Sequence, residues 1–166
     1  MMFRNGFVPL AMAAMMAAAP VSAQEQQATP TVTAGEPSSI VKALGAAGYS
    51  ATLETDDYGD PRITTDLSGR EVSIWFYGCD EETRKNCDSL QFVIGFDADK
   101  PMTAQQMLDF MDKRRFASMT LDDEGDPWMS WDIVTGTEGI PQSVFLTAIR
   151  SFDDTIAAAE NMIWPE

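Results

Sequence analysis

Histidine is absent from all 166 residues of the chain, and cysteine occurs only twice. The first absence removes the commonest general base and the commonest zinc ligand. Basic residues are scarce as well: 11 Lys and Arg stand against 26 Asp and Glu, a net charge of −15. So acidic a chain lacks the cationic face that displaces counterions from nucleic acid. Anionic lipid surfaces make the same demand, so the sequence argues against both partners. Gly-rich phosphate loops, nucleophile elbows and metal-ligand signatures are also missing. Catalysis would have to rest on carboxylates or serine, and the acids crowd turn sequences instead of an apolar pocket that would raise one pKa. The expectation is a protein that is not an enzyme and uses no cofactor.

What is present begins with Met1 to Ala23: one charge at Arg4, an Ala/Met-rich apolar stretch, and Val21-Ser22-Ala23 before Gln24. This is the pattern of a secretory signal peptide cleaved after Ala23. The apolar run from Phe7 to Ala19 is shorter than the roughly 20 residues of a spanning helix, and Pro9 and Pro20 interrupt it. Neither a lipid-anchor cysteine nor paired arginines accompany it, so the expected location is periplasmic or secreted, with no membrane attachment after cleavage. The mature chain loses Arg4 and no acid, leaving 10 bases against 26 acids.

Residues 24–36 are rich in Gln, Thr, Ala and Pro, with Val32 the one large apolar side chain, and read as a flexible leader. Residues 37–166 then form a single domain of ordinary size. Ile40, Val41, Leu44 and Ala47 recur at helical spacing after Ser38 or Ser39 as N-cap, with Gly48 as terminator. Alternation of Val72, Ile74, Phe76 and of Leu90, Phe92, Ile94, Phe96 marks two strands that should pair as a hairpin. Thr103 and Gln106 form a capping box for a second helix ending near Arg115. Pro141 opens a long amphipathic helix whose stripe runs from Val144 to Ile163. With strands also over 51–55, 62–66, 117–121 and 128–133, the order is helix, four strands, helix, two strands, helix. The expected class is α+β: an antiparallel sheet of about six strands with three helices on one face.

One hexapeptide occurs twice: Asp56-Asp57-Tyr58-Gly59-Asp60-Pro61 and Asp122-Asp123-Glu124-Gly125-Asp126-Pro127, each between strand-like runs. Asp can bond backbone amides two residues on, Gly supplies positive φ, and Pro opens a strand where no ladder donor is needed. Each copy reads as a hairpin corner within a helix-plus-hairpin unit used twice. The clustered acids also raise a second possibility, a calcium or small-ligand module, because exported proteins meet that ion and it takes hard oxygen ligands. The spacing does not match an EF-hand: Gly59 comes too early and the twelfth position is Leu67.

Cys79 and Cys87, an even count in an exported chain, flank the end of the central hairpin and read as a structural disulfide. Lys113-Arg114-Arg115 is the lone basic cluster, suited either to the end of a helix or to a carboxylate-rich partner. Strand parity sets Trp75 with Ser73 and Tyr77, opposite Val72, Ile74 and Phe76. Trp75 and Tyr77 are therefore candidates for a partner-binding aromatic pair on the outer sheet face, with core packing as the alternative.

Phe76-Tyr77-Gly78-Cys79, Cys87-Asp88-Ser89-Leu90-Gln91-Phe92 and the two D-D-x-G-D-P corners, in this order, resemble the YbjN domain family. That family is labelled as bacterial sensory-transduction regulators. The resemblance spans about residues 37–163 and implies a fold related to type III secretion chaperones, with the cysteine pair typical of exported members. It implies no enzymatic activity. The functional expectation is a non-catalytic exported protein that binds a protein or peptide partner, in a regulatory or chaperone-like role. The purified mature chain is expected to begin at Gln24 and to show no titratable thiol when denatured without reductant. Two free thiols by that assay would remove the disulfide.

Overall fold

The computed structural model describes residues 29–165. Residues 1–28, which include the expected signal peptide, and Glu166 lie outside the described residues. In chain order the elements are β1 (Thr31–Val32), α1 (Pro37–Ala46), β2 (Ala51–Thr55), β3 (Pro61–Leu67), β4 (Arg70–Tyr77) and β5 (Ser89–Gly95). There follow α2 (Ala104–Met111), β6 (Ser118–Leu121), β7 (Pro127–Val134), β8 (Ile140–Pro141) and α3 (Gln142–Ile163). Six strands form one antiparallel sheet in the order β2-β3-β4-β5-β7-β6, and β1 pairs β8 in a short separate ribbon. The class is α+β.

Alternation decides which side of the sheet is roofed. Ile63, Leu67, Val72, Ile74, Phe76, Leu90, Phe92, Ile94, Met129 and Trp131 all point to one face and are buried there. Over them lies α3, whose Phe145, Ile149, Phe152, Ile156 and Ala159 are fully buried at the 3.6-residue spacing of its stripe. The Phe92 ring meets Phe145 at 6.0 Å and Phe152 at 5.7 Å, and Trp131 meets Phe152 edge-on at 6.2 Å. Truncating one such fully buried Phe to Ala costs about 3–5 kcal/mol in a typical core. Packing of α1 on β2 and β3, and of α2 on β6, extends the roof to both edges of the sheet.

Three sequence expectations need correction. Residues 29–36 are part of the domain and not a flexible leader. Val32 and Ala34 are buried in the core, Gln142 N–H donates to Pro30 O at 2.7 Å, and Ala34 N–H donates to the buried Thr135 hydroxyl at 3.0 Å. Composition missed this because one Val and one Ala complete a core whose remaining walls come from distant sequence. The first helix begins at Pro37, whose fixed φ suits the first turn, and neither Ser38 nor Ser39 is its N-cap. Ser39 accepts instead from Thr33 N–H at 3.1 Å and donates to Glu36 O. The second helix has its Thr103/Gln106 capping box but stops at Met111, so the basic run lies beyond its end.

The helix-plus-hairpin repeat is real. Units α1-β2-β3 and α2-β6-β7 occupy opposite edges of the sheet, and the strand directions relate them by an approximate twofold between β4 and β5. Their corners make the same hydrogen bonds. Asp56 N–H donates to Asp60 O (2.9 Å) and Gly59 N–H to Asp56 O (3.1 Å); Asp122 N–H donates to Asp126 O (3.1 Å) and Gly125 N–H to Asp122 O (3.2 Å). Gly59 and Gly125 sit at φ +91° and +88°.

At the end of the central hairpin, Cys79 and Cys87 form the disulfide. Gly78 there has φ +67°, and an added Cβ would run into the Asp88 carboxylate. Its surroundings differ from those of the corner glycines, whose environments also differ from each other. A Cβ at Gly59 meets only Arg84 Cγ at 3.6 Å, whereas at Gly125 it would lie 2.7 Å from Pro101 Cβ. Gly59→Ala is therefore expected to destabilise by about 1 kcal/mol from backbone strain alone, and Gly125→Ala by clearly more. Chemical denaturation of the two variants checks the ranking, and a neutral Gly125→Ala would refute it.

Candidate functional site

Opposite the roofed face, the sheet carries no helix among the described residues. The registers Glu54↔Arg62, Arg62↔Trp75, Trp75↔Gln91 and Gln91↔Asp132 align five side chains in one row across β2, β3, β4, β5 and β7. The row is held laterally. Arg62 Nη2 lies 2.8 Å from Glu54 Oε2, and its guanidinium carbon lies 5.2 Å from the Trp75 ring centroid. Gln91 Nε2 donates to Asp132 Oδ1 at 2.9 Å, and the Tyr77 hydroxyl donates to Gln91 Oε1 at 3.4 Å. Trp75 is half-buried beneath Arg62, while Tyr77 is 49 % exposed.

A second row, Thr52, Thr64, Ser73, Val93, Ser130 and Ser118, crosses all six strands with small side chains. Beyond it Trp128 stands over Gly95, where an added Cβ would meet the indole at 3.0 Å. Small residues flanked by Trp75 and Tyr77 on one side and by Trp128 on the other make a shallow trough. At about 4.8 Å per strand spacing it runs some ~24 Å across the sheet.

Two groups on this face have shifted titration. The hydrogen bond from Arg62 holds the Glu54 carboxyl below its usual range, which keeps it ionised, whereas a general acid needs the opposite shift. Partial burial, then the nearby charges of Asp132 and Asp56, push the Tyr77 phenol up, so it stays a neutral donor.

The corner aspartates have structural work of their own. Asp56 Oδ1 accepts from Tyr58 N–H and Asp60 N–H, both at 2.9 Å; Asp122 Oδ1 accepts from Glu124 N–H at 3.0 Å and Asp126 N–H at 2.9 Å. Asp122 Oδ2 takes the Trp128 indole N–H at 3.2 Å, which fixes that ring beside the trough. The third aspartates differ: Asp126 accepts Ala98 N–H at 3.0 Å, while Asp60 faces Arg84 at 3.7 Å. Asp57 and Asp123 point to solvent. Among the described residues, no group of three or more His, Cys, Asp or Glu side chains is arranged to hold a metal ion.

Sequence parity placed Trp75 and Tyr77 on the outer face but missed Glu54, Arg62, Gln91, Asp132 and Trp128. Their parity was readable; their alignment into a row depends on register, which no local signal carries.

The chain thus has the architecture of an α+β domain with helices on one face of an antiparallel sheet and an open face opposite. Residues 36–163 match the YbjN family model, described as "Putative bacterial sensory transduction regulator", and the chain belongs to the YbjN family. No curated protein matches it by sequence. Among solved structures it is similar to the Yersinia pestis type III secretion chaperone SycH, crystallised in complex with a stable fragment of YscM2. The TM-score is 0.45 at 14 % identity, covering 70 % of this chain and 92 % of that one.

Backbone hydrogen bonds, chiefly from Asp126 N–H, hold the Asp122 carboxyl below its ordinary value of 3.8. A pKa lowered by folding contributes stability above the unfolded value and loses it as pH falls through the folded one. Asp122→Asn retains an acceptor for the turn amides but not the charge. Its deficit relative to wild type is therefore expected to be largest at neutral pH and to shrink below pH 3.8, whereas Asp122→Ala should remain destabilised throughout. Denaturation midpoints across that range test this; a pH-independent gap for the Asn variant would exclude the charge as the cause.

Proposed function

We propose that the protein is a non-catalytic, exported binding protein that receives a segment of a partner protein on the open face of its sheet. Trp75 and Tyr77 are the anchors. The observation that carries this reading is their position: Trp75 within the cross-strand row and Tyr77 beside it, hydrogen-bonded to Gln91, on a face that no helix covers among the described residues. Aromatic anchors rimmed by polar groups concentrate binding energy, and the adjoining row of small side chains leaves room for a chain to lie across the strands. Glu54, Asp132, Asp66 and Glu71 outnumber Arg62 on this face, which favours a partner segment of positive charge. A regulatory role accords with the family's description.

Two features support export: the signal-like pattern of residues 1–23, and the Cys79–Cys87 disulfide, a bond that persists in oxidising compartments. Among the described residues no helix is long and apolar enough to cross a membrane.

Tyr77→Ala should change stability by less than about 1 kcal/mol, because the ring stands half in solvent, and Trp75→Ala by about 1–2 kcal/mol through loss of its stacking with Arg62. A photo-crosslinking side chain at position 77, in cells of the native host, should yield one defined adduct, and the same group at exposed Leu108 should not yield that adduct. A loss of about 3–5 kcal/mol for Tyr77→Ala, or no adduct at position 77, would refute the binding face.

A further inference from the structure

The basic run after α2 is not explained by the end of the helix. The helix closes at Met111, and the one side-chain hydrogen bond of the run, from Arg114 Nη1, goes to Lys113 O and not to a carbonyl of the last turn. Arg62, Arg70 and Arg84 each have a carboxylate within 4.0 Å, but Lys113, Arg114 and Arg115 have none among the described residues. Lys42, Lys85, Lys100 and Arg150 are also without a salt bridge among the described residues, but only here do three such cations stand consecutively, in a chain with 26 acids.

Two of them are nonetheless held in place. The Arg114 guanidinium lies 5.0 Å from the Phe110 ring centroid, and that of Arg115 lies 4.6 Å from Phe116. Phe116 adopts φ +73°, a left-handed backbone that a bulky aromatic avoids, and remains 67 % exposed. Beside this turn, between α2 and α3, is an open groove of about 360 Å³ whose apolar wall is Phe110, Ala158 and Met162, with Lys113 and Arg114 at its mouth. Asp109, also on its rim, is engaged by Gln105 Nε2 at 2.7 Å.

We propose that this groove and the turn beyond it form a second docking site, for an acidic peptide segment that inserts one apolar side chain. Charge complementarity selects the occupant. The cations run from the mouth of the groove, at Lys113 and Arg114, to Arg115 beyond it, so they match carboxylates spaced along a chain and not the single head of a small amphiphile. A bilayer of anionic lipid would be repelled by the acidic remainder of the surface. The site is distinct from the sheet face, where the charge preference is the reverse.

A displayed library of random 12-residue peptides, selected on the folded protein at low salt, is the test. The enriched peptides should carry two or more acids around a Leu, Phe or Trp. As synthetic peptides they should lose at least tenfold in affinity for Lys113→Glu/Arg114→Glu and for Ala158→Trp, which fills the groove without changing charge. Matching thermal midpoints confirm that the variants used are folded, and Lys42→Glu and Tyr77→Ala should bind as wild type does. Absence of enriched peptides, enrichment without acids, or binding indifferent to both groove variants would overturn the proposal. Co-sedimentation of the wild type with phosphatidylglycerol vesicles but not with phosphatidylcholine vesicles would overturn it in favour of a lipid surface.

Discussion

Each side chain on the six strands must take one of two faces, and only one of those faces is roofed. The core, the openness of the opposite face and the placing of the helices all depend on that asymmetry. Phe92 can sit between Phe145 and Phe152 because its neighbours Gln91 and Val93 are turned the other way. Shifting one strand by a residue would expose Ile74 or Phe92 and bury Gln91 or Trp75, a cost no surface interaction could offset. The core therefore fixes the register, and the register assembles the outer row from Glu54 to Asp132. The candidate binding face is a consequence of the core packed behind it.

The edges and ends of the sheet are secured by short-range chemistry. At each D-D-x-G-D-P corner one aspartate takes two backbone amides, a glycine turns through positive φ, and proline starts the returning strand. The copies diverge in what they hold. Asp126 and Gly125 tie the loop leading to α2, through Ala98 N–H and Met102 N–H respectively, whereas Asp60 faces the disulfide loop at Arg84. At the neck of the central hairpin, Asp88 O accepts from Thr135 N–H and Gly136 N–H, both at 2.9 Å, so the disulfide loop is anchored to the end of β7 as well as to its own strands.

Charge is distributed with a bias that the total conceals. The sheet face keeps a single cation, Arg62, already committed to Glu54 and Trp75, and the rest of that face is neutral or acidic. Lys113, Arg114 and Arg115, the one run of three cations, stand instead past the end of α2. The acidic sheet face and the basic run are thereby separated by strand parity and by element.

The sequence by itself determined the features whose causes are local. The inward parity of Val72, Ile74 and Phe76, the stripe of α3, the Thr103 capping box and both glycine corners follow from spacing and turn chemistry within a dozen residues. Tertiary structure decided what depends on residues far apart in the chain. That β7 pairs with β5 and leaves β6 at the edge aligned Asp132 with Gln91; that β3 pairs with β4 set Arg62 over Trp75. Val32 and Ala34, unremarkable in a polar leader, became core because the β1–β8 ribbon and Thr135 hold them there. A period of two specifies the face of each side chain but not its neighbour on the next strand, since that choice is made by the packing of the whole core.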